Sequence, residues 1–105
     1  MRIDIRTRSL KMTKSLSEHV HRRIRFALGR FEQRLMSVRV WLGDLNGPKG
    51  GVDKHCKVLV GIRPSLRVVI EERDTDLEAA VNRAMDRAGR TVARRLDQIM
   101  DRRRF

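Results

Sequence analysis

The feature that most restricts how this chain can fold is an apolar series at helical spacing towards its end. Leu77, Ala80, Val81, Ala84, Met85, Ala88, Val92, Leu96 and Ile99 recur between Asp76 and Asp101 with the period of an α-helix. A helix of that length with one apolar side has to lie on a sheet or on another helix. Thr75-Asp76-Leu77-Glu78 has the form of a capping box and predicts where the helix starts. Arg83, Arg87, Arg90 and Arg94 follow at i, i+4, i+7 and i+11, which puts them in a stripe roughly opposite the apolar side. Such a stripe suits a phosphate backbone. Glu78, Asp86 and Asp97 are interspersed with it, so an ordinary solvated helix face is the competing reading.

The residues before this helix supply a sheet and a second helix. Ile3 and Ile5 alternate with Arg2, Asp4 and Arg6, a short first strand with one buried side. Thr13 and Ser15 offer helix caps, and Ser15-Leu16-Ser17-Glu18 fits a capping box. Leu16, Val20, Ile24, Ala27, Leu28, Phe31 and Leu35 extend an apolar side to about Leu35, with Arg22 and Arg25 pointing away from it. Arg23, Arg30 and Arg34 line one edge of that side, beside Phe26 and His19.

From Ser37 to Leu42 the period is two: Val38, Val40 and Leu42 face inward, Arg39 and Trp41 outward. Gly43 to Gly51 is dense in turn formers and reads as a loop. Lys54 to Gly61 sets Cys56, Val58 and Val60 against His55, Lys57 and Leu59; Arg63-Pro64-Ser65 turns the chain; Leu66 to Glu72 is a fourth strand. The order β-α-β-β-β-α makes the last three strands an antiparallel meander and requires a helical crossover before them. The expected fold is α+β, a two-layer domain whose four-stranded sheet is covered on one face by two helices. Residues 1–105 read as one domain, with Arg102-Arg103-Arg104-Phe105 fraying.

Charge limits the partner. Lys and Arg number 25 against 13 Asp and Glu, a net +12, so a polyanion is the leading class, with nucleic acid ahead of an anionic membrane surface. Aromatic content of 4% without Tyr argues against a base-reading stacking platform; Trp41, outward on its strand, is open to stacking on one base but is better suited to covering sheet or meeting a partner. No apolar run approaches the roughly 18 residues of a membrane span, and the N-terminus lacks a signal-peptide stretch. With one cysteine and no staple, the expected location is the cytoplasm.

Nothing in the sequence assembles a catalytic set, and no cofactor or small-molecule substrate is implied. Glu71, Glu72, Asp74 and Asp76 cluster where acids favour the positive end of a helix. His19 and His21 do not share a helix face, and His55 and Cys56 point oppositely from a strand, so no metal site is expected. Cys56 reads as a core thiol. The loop with Lys49 and Lys54 matches no nucleotide-binding pattern and reads as a mobile arm that orders against RNA.

The β-α-β-β-β-α order, the Ile-x-Ile-x start, Thr13 before the first helix and the acidic-capped basic last helix resemble the ribosome hibernation-promoting factors, or ribosome-associated inhibitor A proteins. Asp76-Leu77-Glu78-Ala79-Ala80-Val81-Asn82 and then Asp86-Arg87-Ala88-Gly89-Arg90-Thr91-Val92-Ala93-Arg94 carry the resemblance most specifically. It places Arg87, Arg90 and Arg94, with Arg23, on the family's basic helix positions. Glu78 stands where the family usually has Tyr, the first helix carries an extra residue near Phe26, and the loop from Gly43 to Asp53 is longer. The resemblance implies binding to the small ribosomal subunit in the channel of messenger and transfer RNA, and a short form without the C-terminal domain that pairs ribosomes.

The expected RNA-binding residues are Arg22, Arg23, Arg25 and Arg30 in the first helix and Arg83, Arg87, Arg90 and Arg94 in the last, with Lys49 and Lys54 in the loop. The alternatives are a general structured-RNA binder and a module that self-associates through the open sheet face bearing Arg39, Trp41, Lys57, Leu59, Arg67 and Val69.

Overall fold

The computed structural model describes residues 1–45 and 53–103. Its elements are β1 (Arg2–Arg8), α1 (Lys14–Leu28), a 3-10 turn (Gly29–Arg34), β2 (Leu35–Asp44), β3 (Lys54–Ile62), β4 (Leu66–Asp74) and α2 (Leu77–Arg103). The four strands lie in chain order across one sheet. β1 runs parallel to β2, with Ile3 opposite Val38 and Ile5 opposite Val40, because α1 returns the chain to the starting end. β2, β3 and β4 form the antiparallel meander, with Val40 opposite Val58 and Val58 opposite Ile70. This is the expected α+β two-layer fold.

Alternation in the strands and the apolar sides of the helices meet in one core. Val38, Val40, Leu42, Cys56, Val58, Val60 and Ile62 close over Val20, Ile24, Leu28, Val81, Met85, Ala88 and Val92, all fully buried. Each fully buried branched side chain contributes about 1.5–3 kcal/mol. α2 packs on β3, β4 and α1. The two helices run side by side in the same direction: His19 meets Asn82, Arg23 meets Asp86 and Ala27 meets Gly89. At Gly89 an added Cβ would sit 2.9 Å from the Ala27 carbonyl oxygen, so a glycine lets the helices approach this closely.

Several boundaries differ from the sequence expectation. α1 ends at Leu28, not near Leu35, and the chain tightens into the 3-10 turn. Gly29 weakens the helix there, and Leu35 is taken as the first residue of β2, where it pairs with Ile62. The cap of α1 is Thr13 rather than Ser15: its hydroxyl accepts the Leu16 N–H at 3.1 Å. At α2 the capping carboxylate is Asp76, which accepts the Glu78 N–H, while Thr75 turns its hydroxyl to Asp74. β2 continues to Asp44, two residues into the expected loop.

Candidate nucleic-acid interface

The arginines expected to bind RNA divide into two groups in space. Arg22 and Arg25 on α1, and Arg90 and Arg94 on α2, are exposed, and none forms an ion pair among the described residues. Arg30 is also exposed and lies over the Phe31 ring, 4.6 Å from its centroid. These five leave their N–H donors available to an incoming phosphate.

Arg23, Arg83 and Arg87 are engaged within the fold. Arg23 reaches from α1 to the Asp86 carboxylate at 2.6 Å and lies 5.3 Å from the exposed Phe26 ring. Arg83 contacts Asp74 at 2.6 Å and donates to the Arg73 carbonyl at 2.6 Å. Arg87 donates to the Glu71 carbonyl at 3.1 Å and approaches Glu72 at 3.3 Å. The acid cluster at the start of α2 therefore does more than face the helix end: Glu72 and Asp74 hold two ladder arginines against β4. The Asp74 carboxyl is held down to about 2, first by the Asp76 backbone N–H and then by Arg83. Arg83 is raised in turn, chiefly by its hydrogen bond to Asp74.

Lys54 is also paired. Its ammonium lies 2.7 Å from Asp44 and 3.8 Å from the buried Asp53, and the hydrogen bond to Asp44 is the main cause of its raised pKa. It joins the two strand ends, where the Leu45 N–H donates to the Asp53 carbonyl. Lys49 and the reading of its loop as a mobile arm lie outside the described residues.

The uncovered sheet face gathers charge that the strand-by-strand reading left dispersed. Strand register builds four rows: Arg2-Ser37-Gly61-Arg67, Asp4-Arg39-Leu59-Val69, Arg6-Trp41-Lys57-Glu71 and Arg8-Gly43-His55-Arg73. Seven cations stand against two carboxylates. Both carboxylates are matched locally, Asp4 by Arg6 at 3.1 Å and Glu71 by Lys57 at 3.7 Å. Arg2, Arg6, Arg8 and Arg73 were not among the expected site residues. The available signal was their even spacing in the strands, which needs the strand order to become a surface. At the β4 edge Arg67 borders a shallow cleft with Arg94 and Arg95, so the basic surface continues from sheet to helix layer.

Two histidines and the cysteine are engaged within the fold. His19 Nε2 lies 3.0 Å from Asn82 Oδ1, and His21 Nδ1 lies 2.8 Å from the Ser17 carbonyl. Burial, followed by the charge of Glu72, pushes the Cys56 thiol up to about 12. Among the described residues, no three of His, Cys, Asp and Glu come together as a metal site. Among the described residues no helix is long and apolar enough to cross a membrane.

Known proteins place this geometry in context. Residues 3–100 match the model of a family described as sigma 54 modulation protein / S30EA ribosomal protein. The crystal structure of the Thermus thermophilus Protein Y N-terminal domain is similar at 27% identity and a TM-score of 0.73, covering 90% of this chain and 98% of that one. A ribosomal subunit interface protein from Coxiella burnetii shares the fold at 12% identity and a TM-score of 0.76, covering 92% of this chain and 99% of that one. No curated protein matches the sequence significantly.

Proposed function

This chain belongs to the sigma 54 modulation protein / S30EA ribosomal protein family, that of the ribosome hibernation factors, and from that premise we propose that it is a ribosome-associated translation inhibitor. It acts in the cytoplasm as a single RNA-binding domain on the small ribosomal subunit. There it occupies the channel of messenger and transfer RNA and excludes both, by occupancy rather than by enzymatic chemistry. The observation that carries this reading is a set of exposed guanidiniums, Arg22, Arg25, Arg90 and Arg94, that have no acid partner among the described residues and stand on two helices packed side by side. Arginine forks fit phosphate oxygens bidentately, and structured RNA is recognised mainly by shape and backbone.

The test is sedimentation with ribosomes through sucrose gradients at low and high salt. For about 6–10 phosphate contacts, affinity falls on the order of 10³–10⁵ between 50 and 200 mM salt. The expected result is co-migration with 30S or 70S particles at low salt and release at high salt. Confinement to the top of the gradient at low salt overturns the reading. Displacement from ribosomes by bulk double-stranded RNA would favour a general structured-RNA binder instead.

A further inference from the structure

We propose that the uncovered face of the sheet is a second nucleic-acid site, one that takes single-stranded RNA with a base against Trp41 and the flanking phosphates on Arg39 and Arg67. The inference rests on the reading above for RNA as the ligand, but it uses none of the helix residues that carry that reading.

Charge selects the occupant. The two carboxylates of this face already have cationic neighbours, Arg6 and Lys57, whereas Arg39 and Arg67 are exposed with no acid partner among the described residues. A second copy of the chain laid on this face would set guanidinium against guanidinium, which costs rather than stabilises. A phosphate backbone meets the same surface with opposite charge and releases its counterions.

Shape fixes where the strand lies. In the row Arg2-Ser37-Gly61-Arg67, an arginine stands at each edge of the sheet and the two middle residues are small. The row is a shallow trough with a cation at either end. The half-buried indole of Trp41 stands two rows away, beyond Arg39, with the Lys57 ammonium 5.7 Å from its ring. Trp41 lines two clefts, of about 330 and 530 Å³, whose other walls include Arg39 on one side and Arg8 and His55 on the other. A flat base placed in either cleft stacks on the indole while its phosphate reaches a guanidinium. With one aromatic ring only, the site tolerates any base and is dominated by charge.

Trp41 is the only tryptophan in the chain and reports directly on this face. The experiment titrates the intact protein with poly(U) and follows tryptophan emission, with anisotropy of fluorescein-labelled oligo(U) as an independent measure of binding. Saturable quenching is expected. Arg39→Glu with Arg67→Glu, checked for folding by circular dichroism, should weaken binding about tenfold or more and lower the salt slope by about one to two, at roughly 0.7 per phosphate. Trp41→Ala should weaken oligo(U) binding about tenfold. Replacing Arg22, Arg25, Arg90 and Arg94 by Ala should leave the quenching in place.

Labelled RNA that binds without changing Trp41 emission lies elsewhere and overturns the proposal, as does an absence of oligo(U) binding. Concentration-dependent dimerisation that is lost in the sheet variant would give the face to a second copy and also overturn it. Quenching without ribosome co-sedimentation removes the ribosomal reading and keeps this site. Co-sedimentation with a silent Trp41 does the reverse.

Discussion

The Arg23 guanidinium reaches across from α1 to the carboxylate of Asp86 on α2 and closes to 2.6 Å, with a longer contact of 3.5 Å to the Asn82 carbonyl. A residue that the family resemblance marks for RNA is therefore a tie between the two helices. The Asp86 carboxylate stays about half exposed in this contact, a negative charge that opposes an approaching polyanion.

Replacing each partner separates these roles. Arg23→Ala should cost about 1 kcal/mol of stability, the upper range for partly exposed pairs, and change ribosome affinity little. Asp86→Ala should cost similar stability and raise affinity, because a carboxylate leaves the surface and Arg23 becomes available. Urea unfolding and ribosome pelleting measure both; a large affinity loss in Arg23→Ala with unchanged stability would make Arg23 a direct contact.

Gly89→Ala adds a methyl group 2.9 Å from a backbone carbonyl oxygen that cannot rotate away. Alanine gains up to about 1 kcal/mol in helix propensity. Overpacking at the crossing costs about 1–3 kcal/mol and should prevail. A lower Tm is expected, by roughly 4–8 °C per kcal/mol net in a domain of this size. A higher Tm would mean that the helices slide apart freely.

Asp74 gives the stability a defined acid limb. Its carboxyl titrates near 2 in the folded chain, below the ordinary value of 3.8. A depressed carboxylate stabilises the fold above its unfolded value and loses that contribution as pH falls through the folded one. Melting temperature should therefore fall between pH 4 and 2, and Asp74→Asn should flatten that limb. An Asn variant with the same acid limb would assign it to other carboxylates.

Cys56 should be inert while the chain is folded. With its thiol pushed up to about 12 and its side chain buried, almost no thiolate exists at pH 8. Modification by a disulfide reagent should appear only with denaturant, at the midpoint seen by circular dichroism. Rapid labelling of native protein would show a local opening between β3 and α2.

The legible part of the fold was what periodicity carries. Val58 and Cys56 announce an inward face, and Leu77 to Ile99 announce a helix, because burial repeats with the backbone. The end of α1 was not legible: Phe31 and Leu35 keep the helical phase although a 3-10 turn and a strand claim them. Side-chain pairing was hidden for a different reason. Arg83 and Arg87 sit at good positions for a ladder, but only the packing of α2 back onto β4, the last strand in the sheet order, brings Asp74 and Glu72 beside them. The same ordering turns Arg2, Arg6, Arg8 and Arg73 from scattered cations into a surface.

One consequence concerns the outermost strand. β4 ends the sheet, and its carbonyls at Glu71 and Arg73 each receive a guanidinium N–H, from Arg87 and Arg83. A strand from a neighbouring molecule could dock there only by displacing both. The two arginines thus occupy carbonyls that edge-to-edge pairing along this rim would need, and so blunt β4 as a template for another strand.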